Sequence, residues 1–270
     1  MSAAITQVQS IQFLTQNLWL TNTGRPPKRK AERIQDFLFH INKFDILALQ
    51  EVFLFGDGGW FVNSALNKQI ILDHAKKMNF HYIDTPKPSL FCQDSGLLIL
   101  SRYPIVESHF KRFQNCSLSE WINNKGVLHA KIQLPNDKRL HVITTHLDAH
   151  QSSIRQLQIE ELKENLKSWL TKEEQENDPV ILCGDWNIDS ILGEESYVNM
   201  MNTLPDFDHI FDNTKQHPIT FPLNNACLDH ILISRKYVKS ISQCNIEELR
   251  GFESQQPISD HYGVSVKLNL

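Results

Sequence analysis

The sequence has no apolar run approaching the ~18–20 residues that a membrane-spanning helix needs, so no transmembrane segment is expected. It has no C-x-x-C pair. Its five cysteines, Cys92, Cys116, Cys183, Cys227 and Cys244, are odd in number and widely spaced. That argues against a disulfide framework and a cysteine zinc cluster, and for free thiols in a reducing compartment. There is no basic excess: 27 Lys and Arg stand against 31 Asp and Glu, a net charge of −4. This is not the footprint of a protein that binds nucleic acid mainly through phosphates. The opening stretch MSAAITQVQSIQFL has no basic segment followed by an apolar one, so no secretory signal is expected. The expected location is cytoplasmic or peripheral to a membrane, with leaderless export left open. Internal repeats, low-complexity tracts and mixed Pro/Gly/Ser linkers are missing too. Residues 1–270 therefore read as one domain. No oligomerisation signal is visible, and a monomer is expected.

What the chain does have is apolar residues, 41% of the total, enough for a large core. Several segments alternate with period two. GVLHAKIQL (126–134) sets Leu128, Ala130, Ile132 and Leu134 on one face, and GVSVKLNL (263–270) does the same with Val264, Val266, Leu268 and Leu270. Segments 12–20, 45–52, 96–105, 140–147, 179–185 and 228–234 also read as strands. Helical spacing links Ala31, Ile34, Phe37, Leu38 and Ile41, then Leu66, Ile70, Ile71, Ala75 and Met78, then Ile154, Leu157, Leu162, Leu166, Trp169 and Leu170. Ser153 with Gln156 offers the third helix a capping box. Strands outnumber helices and lie close in sequence, an α+β mix that suggests sheets packed face to face with helices outside.

Polar residues collect at the strand ends: Asn17, then Gln50-Glu51, His146, Asp185 with Asn187, Asp229-His230, and Asp260-His261 just before the final strand. Singly, each is weak, because an aspartate after a strand is commonly a turn former or a helix cap. Six such sites at strand ends are hard to explain as turns. Glu51, Asp260 and the amide of Asn17 are oxygen ligands suited to Mg²⁺, with Mn²⁺ or Ca²⁺ as alternatives. Asp229 fits as the hydrogen-bond acceptor that orients His261 and raises its pKa. Asp185 fits as the group that polarises an attacking water, and Asn187 and His146 as donors to oxygens that gain charge. The set fits in-line hydrolysis of a phosphate ester assisted by a Lewis-acid metal. No serine elbow, H-E-x-x-H or phosphate-cradling glycine loop competes. His146 and His150 have the spacing of a helical zinc pair, but His146 reads as a strand end, which speaks against zinc there.

TQNLWL (15–20), ALQEV (48–52), TTHLDAH (144–150), CGDWNI (183–188), CLDHILIS (227–234) and ISDHYGV (258–264) resemble the successive motifs of the endonuclease/exonuclease/phosphatase superfamily. The resemblance runs from Asn17 to His261, and as an ordered set it is highly specific. It implies a DNase I-like fold: a four-layer αββα sandwich, two packed mixed sheets flanked by helices, with a divalent-metal site at one edge. It also implies that Asp185 activates the water and Asn187 contacts the phosphate.

Within the superfamily, WINNKGVLHAKI (121–132) resembles the Lys-Gly-Val segment of neutral sphingomyelinases, as does the stretch after His146, although those enzymes often carry Gln where Asp148 stands. Inositol-polyphosphate 5-phosphatases typically have an aromatic-Arg pair where this chain has Ile188-Asp189, and Asp-Arg where it has Asp229-His230. Abasic-site nucleases generally place tyrosine where His146 stands, whereas DNase I-like nucleases carry histidine and stay in contention. The resemblance thus implies a Mg²⁺-dependent phosphodiesterase that acts on a phospholipid at a membrane surface, most naturally sphingomyelin. The alternatives are a metal-dependent nuclease or a phosphoinositide or other lipid phosphatase, and a nucleic-acid substrate is disfavoured by the charge. A catalytically dead binder would show broken ligands, and none is broken. The candidate substrate contacts are Lys125, Trp186 and Trp60. Trp60 belongs to an aromatic loop, VFLFGDGGWFVN (52–63), in which Phe53, Phe55, Trp60 and Phe61 are either core or lipid-contacting. The basic run RPPKRK (25–30) is either a solvated helix start or a contact for anionic headgroups or nucleic-acid phosphates.

Overall fold

The structure, a computed structural model, describes residues 10–21, 29–54, 65–85, 93–135, 137–192, 195–212 and 217–270. Among the described residues, twelve strands form two six-stranded sheets. The first sheet has the order β11 (Ile241–Glu247), β12 (Gly263–Asn269), β1 (Ser10–Asn17), β2 (Ile46–Gln50), β4 (Leu98–Ser101) and β3 (His81–Asp84). The second has β5 (Ile105–Arg112), β6 (Gly126–Gln133), β7 (Arg139–His146), β8 (Val180–Asp185), β10 (Asp229–Ser234) and β9 (Phe207–His209).

The period-two pattern sends alternate side chains to opposite faces. Phe13, Ala48, Leu128, Ala130, Ile132, Cys183 and Ile231 meet between the sheets in one apolar layer. The outer face of the first sheet packs Leu14, Leu47 and Leu49 against Ile34, Phe37 and Leu38 of α1 (Lys30–His40) and Ile71 and Ala75 of α2 (Ala65–Lys77). The outer face of the second packs Val127, Ile143 and Leu182 against Ile159, Leu162 and Leu166 of α4 (Ser152–Trp169) and Met200 of α6 (Glu195–Thr203). Helix, sheet, sheet and helix thus stack as the expected αββα sandwich. α3 (Leu118–Trp121) and α5 (Lys172–Asn177) complete the α-helices among the described residues, beside two short 3-10 helices, Ile41–Lys43 and Arg235–Ser240.

Two local readings are corrected. The run 96–105 is not one strand. It breaks at Arg102-Tyr103-Pro104, where proline fixes its own φ and biases the residue before it, and the chain passes from the first sheet into the second. The Ser153/Gln156 capping box does not form: α4 begins after Gln151 with no side-chain cap. A capping box is found instead on α5, where Thr171 Oγ1 accepts from the Glu174 N–H and Glu174 reaches back to the Thr171 N–H.

The connectivity carries the functional residues to one end. β1 pairs parallel with β2, matching Asn17 with Gln50. β7 pairs parallel with β8, matching His146 with Asp185. β10 runs antiparallel to β8, so its first residue, Asp229, lies opposite Asp185. β12 runs antiparallel to β1, so Asp260 and His261, just before its start, come to the end where β1 finishes. Gly184 lets β8 pass close to β7: its φ is +133°, and an added Cβ would lie 2.0 Å from the Thr145 carbonyl oxygen. Gly184→Ala is expected to cost at least ~2 kcal/mol of stability and to displace Asp185. A fall in thermal midpoint with loss of activity checks this; an unchanged midpoint contradicts it.

Candidate active site

Asp185, at the end of β8, is the hub of the cluster and is only 2% exposed. Its Oδ2 accepts from Asn17 Nδ2 at 3.0 Å and lies 3.4 Å from His146 Nε2 and 3.7 Å from His261 Nε2. Its Oδ1 accepts from the Asn187 N–H at 3.0 Å. The other nitrogen of His261, Nδ1, is 2.8 Å from Asp229 Oδ2. Asn17 Nδ2 also donates to Glu51 Oε1 at 3.0 Å. Seven of the eight expected catalytic and metal-binding residues are thereby linked directly. The eighth, Asp260, is half-buried beside His261 and acts on Glu51 through its charge.

Strained backbone holds several of these groups. Trp19, Glu51 and Asn187 have φ of 48°, 58° and 51°, the left-handed region that costs non-glycine residues energy. A second ring of bonds fixes the loop before β12: Ser259 Oγ donates to the Asn17 carbonyl at 2.7 Å, and Gln16 Nε2 donates to the His261 carbonyl at 3.0 Å. The Phe221 ring covers His261 with centroids 4.7 Å apart.

The electrostatics divide the two histidines. Burial alone would lower His261, but the Asp229 and Asp185 carboxylates outweigh it and hold the imidazolium up to about 10. Burial, reinforced by the Lys125 charge, depresses His146 to about 4 despite Asp185. At neutral pH the site therefore pairs a cationic His261 with a neutral His146. Burial works against the Asp185 carboxylate, yet His146, His261, Lys125 and Asn17 together keep its pKa below the usual value. The folded-state pKa of His261 lies above its ordinary 6.5. Its stabilising contribution is thus complete below about 6.5 and lost as pH rises through about 10.

The structure revises some placements. The Asn17 amide oxygen accepts from the Trp19 N–H at 2.9 Å, while its nitrogen faces two carboxylates. It therefore bridges Glu51 and Asp185 through its nitrogen, while its oxygen holds the turn at Trp19. Trp186 is fully buried among Ile143, Leu162 and Met200 on the helix side of the second sheet, so no substrate can reach its ring. Lys125 is buried, with Nζ donating to the Leu147 carbonyl at 2.8 Å and to Glu120 Oε1 at 3.1 Å. Asn187 Nδ2 donates to the same carbonyl at 3.1 Å, which ties Lys125 to the loop after Asp185. Asp148 accepts from the Ser117, His150 and Gln151 N–H groups and so organises the loop after His146. Phe53 is 2% exposed and packs on Gly96, which makes it core. Phe55, Trp60 and Phe61 lie outside the described residues, as does 25–28 of the basic run; Arg29 pairs with Glu32 and Lys30 is buried.

Arg33 was missed by reading α1 only for its apolar stripe. It is buried, donates to the carbonyls of Ile258, Leu18 and Trp19, and lies near enough to Asp260 and Glu51 to feel both charges. Burial lowers it to about 10, so it stays cationic. Its place on the buried face, one residue before Ile34 and four before Phe37, was the available signal.

The fit to a divalent ion rests on Glu51. Its Oε2 is buried with no hydrogen-bond partner. Burial pushes its pKa up to about 7 against the Asn17 bond and the His261 charge, and Asp260 adds to the push. A hard cation would meet that orphaned oxygen, so Glu51 and Asp260 fit as its protein ligands. Asp185, Asp229 and His261 also gather within 4.8 Å, but there the His261 imidazolium already supplies the positive charge.

The model of the endonuclease/exonuclease/phosphatase family matches residues 14–261, and the chain belongs to that family. A sphingomyelinase of Dictyostelium discoideum is 27% identical over 208 residues, covering 62% of this chain and 43% of that protein. Sphingomyelinase C of Bacillus cereus is 27% identical over 224 residues, covering 75% of this chain and 65% of its own. The chain thus spans between 43% and 65% of these relatives' lengths. The crystal structure of a Staphylococcus aureus β toxin mutant with bound magnesium ions superposes with a TM-score of 0.70, at 18% identity over 96% of this chain and 99% of that one, which establishes the shared fold.

Since a protonated Glu51 cannot hold a cation, proton and metal compete for it. The Mg²⁺ concentration for half-maximal activity is expected to rise about tenfold per pH unit below about 7 and to level off above it. Glu51→Gln should remove this pH dependence and raise the Mg²⁺ requirement at every pH. A Mg²⁺ requirement that is flat between pH 5.5 and 8 in the unaltered protein contradicts the ligand role.

Proposed function

We propose that the protein is a divalent-metal-dependent phosphodiesterase that hydrolyses a phospholipid, with sphingomyelin as substrate and ceramide and phosphocholine as products. The observation that carries the chemistry is the Asp185 carboxylate held between neutral His146 and cationic His261. The likeness to sphingomyelinases from two organisms supports the lipid.

Asp185 is the one member of the trio that is ionised and unprotonated at neutral pH, so it is the group that accepts a proton from the attacking water. His261 enters already protonated and cannot be that base. Its Nδ1–H is fixed on Asp229, which aims Nε2 and its charge at the space beside Asp185 where phosphoryl oxygens sit. His146 and Asn187 serve the same oxygens as neutral donors, and Lys125 adds positive charge from beneath. Attack by the water oxygen on phosphorus breaks the bond to the ceramide oxygen, which leaves and takes up the proton that Asp185 accepted from the water, so that the carboxylate is restored. A divalent ion held by Glu51 and Asp260 supplies, when bound, positive charge for the oxygens that become more negative in the transition state. The arrangement is built before substrate arrives, so little reorganisation opposes the step.

The reading is tested with sphingomyelin liposomes and plasmid DNA, each with Mg²⁺ and with EDTA. Ceramide and phosphocholine should appear only with Mg²⁺, with the plasmid intact, and His261→Ala should lower kcat by about 10²–10⁴-fold while leaving the thermal midpoint close to that of the parent. Plasmid cleavage with intact lipid would move the substrate to nucleic acid. Near-normal turnover by His261→Ala would remove the assigned role.

A further inference from the structure

A second polar cluster lies about five strand residues, ~17 Å, from His146 on the same strand, at the far end of β7. His109 on β5, His129 on β6 and His141 on β7 form a ladder across the helix-facing side of the second sheet. The rings of His109 and His129 stack at 5.5 Å and those of His129 and His141 at 5.3 Å, and Trp169 of α4 lies against the first two. Such a stack of three imidazoles has more hydrogen-bonding capacity than an apolar face can satisfy. His129 Nε2 and His141 Nδ1 meet at 3.0 Å. His141, 1% exposed, then turns Nε2 toward Asp178 Oδ2 at 3.5 Å, and neither of those buried atoms has a hydrogen-bond partner. Glu174 brings an oxygen within 4.8 Å of both.

We propose that His141 Nε2, Asp178 Oδ2 and Glu174 Oε1 form a binding site for a zinc-class divalent ion, separate from the catalytic cluster. Three observations support it. The first is spacing: ligand bonds of about 2.0–2.2 Å at a tetrahedral angle put neighbouring N and O ligands about 3.4 Å apart, and the two unpartnered atoms are 3.5 Å apart. At that separation an ion fits between them better than a direct hydrogen bond does. The second is charge. The groups facing the ladder are Glu107, Glu174 and Asp178 against Lys131 and Arg139, an excess of one negative charge when the histidines are neutral. Burial favours the neutral form of the two inner rings, pressing His129 down to about 3 and lowering His141 too, and neutral imidazole is the metal-binding form. The third is ligand type: one imidazole with two carboxylates selects a borderline ion over Mg²⁺, which prefers oxygen throughout.

The existing ion pairs can give way. Lys131 Nζ bonds Glu174 Oε1 at 2.5 Å but also reaches Glu107 Oε2 at 3.2 Å, so it keeps a partner if Glu174 turns to a metal. Arg139 is 40% exposed and sits 3.6–3.7 Å from the two carboxylates, free to swing outward. Glu174 keeps its other oxygen on Thr171, where it caps α5. His129, against Nδ1 of His141, is placed as the outer partner that fixes the ligand's tautomer. A surface cavity of about 340 Å³ lined in part by Arg139, Asp178, Pro179 and Tyr237 opens beside Asp178, giving an ion and its remaining water a way in.

The test is a Zn²⁺ binding isotherm on the full chain in millimolar Mg²⁺, which keeps the oxygen-rich catalytic site occupied. One equivalent of Zn²⁺ should bind, and Asp178→Asn and His141→Gln should each weaken it at least tenfold. Mg²⁺-dependent hydrolysis by Asp178→Asn should match that of the parent. Absence of a zinc equivalent under Mg²⁺ overturns the proposal. So does an affinity unchanged in both variants, or one abolished by Glu51→Gln, which would place the zinc at the catalytic cluster. If His141→Gln fails to fold, Asp178→Asn decides alone, because its Oδ2 makes no hydrogen bond that the fold depends on.

Discussion

The Asp185 carboxylate sits almost wholly out of water at the joined ends of two sheets, and the arrangement around it follows from keeping that charge ionised. A buried carboxylate without partners protonates or unfolds its surroundings. Here Asn17, His146, His261 and the Asn187 N–H converge on its two oxygens. Each arrives from a different element: β1, β7, the segment before β12 and the loop after β8. The register of both sheets is therefore a condition of the charge, and the charge in turn helps to hold the sheets in that register. Gly184, with a backbone only glycine adopts easily, is where β8 makes room for this convergence. Left-handed backbone at Trp19, Glu51 and Asn187 is tolerated because the same network holds it from several sides.

The second consequence is a polarity built from like residues. His146 and His261 both approach Asp185 Oδ2, yet one is kept neutral and the other cationic. The difference lies in the next neighbour. His261 has Asp229 behind it, whereas His146 has Lys125 nearby and an Nδ1 with no hydrogen-bond partner. A site meant for phosphate needs both positive charge and a proton acceptor, and here one carboxylate and one imidazolium meet those needs side by side. Glu51, a few ångströms off through Asn17, is left with an oxygen that calls for a cation.

The interior of the fold was legible because buried strands must alternate or be apolar throughout. All eight interior strands carry that mark. The four strands the sequence concealed, β3, β5, β9 and β11, are the outer strands of the two sheets, half-exposed and mixed in composition, as edge strands are. The site residues were legible because each stands at the end of a visible strand, and their order matched a known family. What stayed hidden depends on the third dimension. Arg33 reads as one polar residue in a helix, and only the packing of α1 shows it turned inward to the carbonyls of Leu18, Trp19 and Ile258. Trp186 looked like a site residue because its neighbours Asp185 and Asn187 face the site. Alternation sends its ring the other way, into the helix-side core. The orientation of the Asn17 amide could be read only once both carboxylates and the Trp19 N–H were in place.

The most direct test of this account is the ionisation state of the two histidines, followed by ¹⁵N NMR of the imidazole rings from pH 5 to 10.5. His261 should remain an imidazolium through neutral pH and lose its proton only near pH 10, while His146 stays neutral down to about pH 5. A His261 ring that is neutral at pH 7.5, or a His146 that is charged at pH 6, would contradict the division of charge on which the site's chemistry rests.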